Sequence, residues 1–111
     1  MNREQFATAL KELHTPLQRQ QIRTNAVGER YGATSKEYKT ECKKEANLIL
    51  AVRLKEWEIW CSFMGFLLIE SIQNGQTKEY TLEFLVDYSK GIQEDEKPAL
   101  REVYKQIKSL P

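Results

Sequence analysis

Ile59-Trp60-Cys61-Ser62-Phe63-Met64-Gly65-Phe66-Leu67-Leu68-Ile69 is apolar on every face of a helix, while most of the surrounding chain is charged or rich in amides. An amphipathic helix hides one stripe, but a segment apolar all round needs other helices about it, from its own chain or a partner. The run is also too short to cross a bilayer, which takes roughly 20 apolar residues. Glu58 and Glu70 close it at both ends.

Outward from this run the helical spacing continues in both directions. Tyr38, Cys42, Ala46, Ile49, Trp57, Trp60, Met64 and Leu67 recur at helical intervals, widened by Leu50, Val52 and Leu54. No proline lies between Pro16 and Pro98, and the Thr34-Ser35-Lys36-Glu37 stretch reads as a capping box. The spacing predicts one central helix over about 35–73, roughly 58 Å long if unbroken, with Gly65 or residues 53–56 as places where it could bend. Asn74-Gly75 supplies its stop.

Four further helices are expected around it. Asn2 caps a first helix to about Leu13, with Phe6, Ala9, Leu10 and Leu13 on one face. Thr15-Pro16-Leu17-Gln18 then reads as a new start, Thr at the N-cap and Pro at the first helical position, for a helix ending at Gly32. Thr77 opens another, with Tyr80, Phe84, Leu85 and Tyr88 turned inward; residues 80–86 also admit a strand, but one with no partner to pair with. Acidic residues 94–96 and Pro98 lead into the last helix, which places Leu100, Val103, Tyr104 and Ile107 on one face. The expected fold class is therefore all-α, a four- or five-helix bundle around one long central helix, and residues 1–111 form a single helical domain.

The whole chain of 111 residues carries 17 basic and 16 acidic side chains, which is no polyelectrolyte signature. The distribution is uneven. Residues 17–55 hold nine Lys and Arg against four Glu, a net of +5, whereas residues 56–111 hold six basic against ten acidic, a net of −4. That polarity suits self-association or a basic face turned to a partner. Met1-Asn2-Arg3-Glu4-Gln5 leads into a charged stretch without the apolar core of a secretory signal, so a cytoplasmic location is the expectation. Cys42 and Cys61, if on one helix, stand roughly 28 Å apart, beyond disulfide reach.

Chemistry-bearing constellations are sparse. His14 is the sole histidine, which removes most nucleophilic triads, most zinc sites and the usual acid–base group. Its place between two expected helices reads as a solvated or capping position. Glu37, Glu41 and Glu45 recur at i, i+4 among Lys36, Lys39, Lys43 and Lys44 and read as a solvated charged face. There is no phosphate loop, no GxGxxG and no serine elbow. No catalytic, metal or cofactor site is expected.

Two constellations remain. Ala26-Val27-Gly28-Glu29-Arg30-Tyr31-Gly32-Ala33-Thr34-Ser35-Lys36-Glu37-Tyr38 resembles a helix-turn-helix DNA-binding unit. On that reading Ser35, Lys36, Lys39 and Lys43 face groove or phosphates, with Arg19, Arg23 and Arg30 nearby. Gly28, Glu37 and the charge at position 41 depart from the pattern, and a plain interhelical turn matches it in part. The aromatic cluster Trp57, Trp60, Phe63 and Phe66, with Met64 and Leu67, is expected at a core or a partner interface, a ligand pocket being the other use of such residues. Together these observations predict a non-enzymatic helical protein acting by protein–protein association, as a homo-oligomer, a small subunit, or an inhibitor or adaptor. Nucleic-acid binding through residues 17–44 is the alternative.

Overall fold

A computed structural model describes residues 1–111 and is all-α: α1 (Arg3–Tyr31), α2 (Lys36–Gln73), α3 (Lys78–Ser89), a single 3-10 turn (Glu94–Glu96) and α4 (Lys97–Lys108). No strand forms at 80–86. The long central helix is present over its whole expected range, without a break at Gly65 or at residues 53–56.

Local capping explains the boundaries. Asn2 Oδ1 accepts from the Gln5 amide (2.8 Å), while Gln5 Oε1 accepts from the Asn2 amide (2.9 Å), a reciprocal cap for α1. The Ser35 hydroxyl accepts from the Tyr38 amide at the head of α2, and the Thr77 hydroxyl accepts from the Tyr80 amide at the head of α3. Gly32 and Gly75 end α1 and α2 with φ of +93° and +112°, values a side chain with a Cβ resists.

The expected break at Thr15-Pro16 does not occur; α1 runs straight through it. Instead of capping a new helix, the Thr15 hydroxyl donates to the Lys11 carbonyl at 2.8 Å. Pro16 supplies no amide to the ladder, at a cost of about 3 kcal/mol in a helix interior. The buried and half-buried positions 10, 13, 17, 20, 24 and 27 keep an alternating spacing of three and four across the proline. That seam meets the matching series 38, 41, 45, 48 and 52 on α2, as in a two-stranded coiled coil.

The chain divides into two compact units, Thr8–Glu56 and Met1–Ala7 with Trp57–Pro111. The first is an antiparallel αα-hairpin. Its two helices touch where Tyr38 lies over Gly28, where Gln20 bonds Glu41, and where His14 Nε2 meets Glu56 Oε2 at 3.3 Å. Contact persisting this far from the turn requires side-by-side helices, so the crossed arrangement of a helix-turn-helix is not formed. Gly28 serves the hairpin instead: a Cβ there would stand 2.8 Å from the Tyr38 ring.

The second unit holds the main core. Cys61 of α2, Leu85 of α3, and Leu100, Val103 and Ile107 of α4 are buried together, with Met64, Leu68 and Leu82 packed around them. The last helix buries the face expected of it, Tyr104 only in part.

Candidate functional site

The apolar run on α2 is covered on one side only. Cys61 is buried, but Trp60 is 45% exposed and Leu67 37%. An all-round apolar segment is expected to be enclosed, and within its own unit this one is not. Met1–Ala7, α3, α4 and the segment between them that carries Ile92 and the Glu94–Glu96 turn are what this unit has to cover it, and Trp60 and Leu67 stay open. Phe6 fills part of the gap, stacking on Phe63 with centroids 4.2 Å apart and meeting Trp60 edge-on at 4.7 Å. Met64 is half-buried against the core. Trp57 is half-buried too; its indole N–H donates to the Glu96 carbonyl at 2.7 Å, and its ring lies parallel to Tyr88 at 6.2 Å.

The largest departure from expectation is on α3. Of the four residues expected inward, only Leu85 is buried; Thr81 joins it, and Tyr80, Phe84 and Tyr88 point outward, Tyr80 being 59% and Phe84 41% exposed. Spaced four apart, these three aromatics form one row, Phe84 and Tyr88 with centroids at 5.9 Å. The Trp57–Tyr88 stack joins that row to α2. Period alone placed the three on a common face. It could not say which face the core would take.

The hairpin has polar character at its seam. Glu41, expected on a solvated face, is only 6% exposed. Its carboxylate accepts from Gln20 Nε2 at 2.7 Å and lies 3.3 Å from Lys44 Nζ and 3.4 Å from Arg23 Nε. The Gln20 hydrogen bond, with Lys44 and Arg23 behind it, holds this carboxyl below the usual carboxylate range, against the opposing effect of burial.

Beside this cluster opens a cavity of about 650 Å³ lined by Arg23, Arg30 and Lys36, with Ala26, Val27 and Tyr31 among its apolar walls. Three of the six basic side chains expected at nucleic acid thus share one groove. Arg19 sits one turn before Arg23 on α1, exposed and outside the lining; Lys39 and Lys43 are exposed elsewhere on α2. Ile22 and Leu50 are the most exposed large apolar side chains of this unit, at 71% and 65%.

Side chains with chemical reactivity do not converge. His14 lies within α1 rather than in a loop, paired with Glu56. Cys61 is buried, and burial followed by the negative charges of Glu96 and Glu58 pushes its thiol up to about 11. Both cysteines are unpaired. No three His, Cys, Asp or Glu side chains are grouped to hold a metal ion, and no helix is long and apolar enough to cross a membrane. Compared with protein families, curated proteins and solved structures, the chain matches none.

Proposed function

We propose that the chain is a non-enzymatic association module whose function is to assemble, with itself before all else, through apolar side chains that its own fold leaves open. The observation that carries this reading is a set of exposed apolar side chains: Trp60, Leu67, Tyr80, Phe84, Val86 and Tyr88 each keep more than a third of their surface in water. Trp60, Tyr80, Phe84 and Tyr88 are among the residue types enriched at interfaces. The single histidine, and a buried Cys61 thiol kept protonated, leave few groups for acid–base or nucleophilic work and support the non-enzymatic half of the proposal.

The test is solution mass by light scattering on a sizing column, at low and high salt, with and without duplex DNA. The expected result is a species of at least twice 13.0 kDa that persists in high salt and ignores DNA. A 13.0 kDa monomer shifting only with DNA, and losing it as salt rises from about 50 to 200 mM, overturns the association reading and assigns the Arg23, Arg30 and Lys36 groove to phosphates.

A further inference from the structure

The two units carry opposite charge. Thr8–Glu56 holds ten basic and six acidic side chains, a net of +4; Met1–Ala7 with Trp57–Pro111 holds seven basic and ten acidic, a net of −3. Each unit also places some of its charge beside exposed apolar groups. In the hairpin, Arg23, Arg30 and Lys36 rim the 650 Å³ groove over Ala26 and Val27. Lys36 has no partner, and Arg30 lies over the Tyr31 ring at 5.3 Å. Glu37 is also on the rim, but the inner acid, Glu41, is committed to Gln20, Arg23 and Lys44. On α3, Glu79 and Glu83 are exposed without partners beside Tyr80 and Phe84. Both rows repeat every four residues, about 6 Å along a helix.

We propose that the basic groove of one copy receives the Tyr80–Phe84 face of α3 from a second copy, the aromatic rings entering over Ala26 and Val27 while Glu79 and Glu83 meet Arg30 and Lys36. This inference rests on the association reading and names its partner and its surfaces. The occupant follows from complementarity: α3, with one Lys against three acids and an aromatic row, fits a groove whose three cations outnumber Glu37 and Glu41 over an apolar floor, and every chain carries both. Opposite charges also set the pairing, since groove against groove or α3 against α3 places like charges together.

The experiment is a charge swap on the full chain. One variant carries Arg30→Glu and Lys36→Glu, the other Glu79→Lys and Glu83→Lys; all four positions are exposed, and circular dichroism checks that helix content is retained. Each variant alone is expected to sediment at 13.0 kDa, with self-affinity weakened at least about 100-fold. Mixed one to one, they are expected to assemble again, because the acidic groove of one now meets the basic α3 of the other. Phe84→Ser, which alters no charge, is expected to dissociate the wild-type assembly equally. A monomeric wild type removes the association reading and this inference with it. A wild-type assembly indifferent to both charge variants, or variants that dissociate singly and do not reassemble together, overturns the pairing while leaving association standing.

Discussion

Glu41 shows how a charged residue becomes part of a seam. Position 41 falls where the coiled-coil spacing calls for a buried group, and the carboxylate is tolerated there because Gln20, Lys44 and Arg23 supply its partners. Its folded-state pKa lies below the unfolded one, so the charged form stabilises the hairpin above the ordinary carboxylate range. That contribution is lost as pH falls through the lowered folded-state value. Glu41→Gln should therefore flatten the acid limb of the stability curve measured by chemical denaturation from pH 6 to about 2; an unchanged acid limb contradicts this role. Pro16 gives a second residue-scale expectation. Because α1 is continuous through it, Pro16→Ala restores an amide to the ladder and should raise stability by about 1–3 kcal/mol, whereas a loss would mean the helix starts at Thr15 after all. For Cys61, burial and the raised pKa predict no alkylation of the folded protein near pH 8, with half-buried Cys42 reacting first in a peptide-mapping assay.

Helix boundaries were legible because they rest on local chemistry. Asn2 and Thr77 cap, and Gly32 and Gly75 stop, where the residues themselves require it, while α2 is capped by Ser35 to the Tyr38 amide in place of the capping box read at Thr34 to Glu37. Thr15-Pro16 has the same local form and was misread, because the seam from Leu10 to Val27 keeps its register across the proline and decides continuity through packing rather than capping. Tyr80, Phe84 and Tyr88 were misread for another reason. Aromatics on a helix face of a protein this small are expected inside, yet Thr81 and Leu85 fit against α4 and the larger rings are left out. A pair of substitutions separates the two faces. Ile107→Ala, at a position with no exposure, should cost about 2–5 kcal/mol and lower the melting temperature. Phe84→Ala should leave the fold within about 1 kcal/mol of wild type at protein concentrations below association. The reverse order of effects would place Phe84 in the core and refute the outward aromatic row.

Across the whole molecule, the apolar run at 59–69 called for cover, from its own chain or from a partner, before any helix was placed. Its open face, with Trp60 and Leu67 exposed, is the remainder of that requirement. The charge division between residues 17–55 and 56–111 was equally visible in the sequence, and it coincides with the boundary of the two units at Glu56. What the sequence withheld was which apolar side chains stay exposed, since that depends on how much covering surface each unit can muster. Oxidative footprinting of the aromatic side chains across a dilution series reads this directly. If the exposed apolar area is an interface, Trp60, Tyr80 and Phe84 become protected several-fold as the protein is concentrated, while Tyr31, on the rim of the groove, follows them if the charge-directed pairing is right. Identical labelling of all four at every concentration would show that these rings meet only water, and would contradict assembly as the work of this protein.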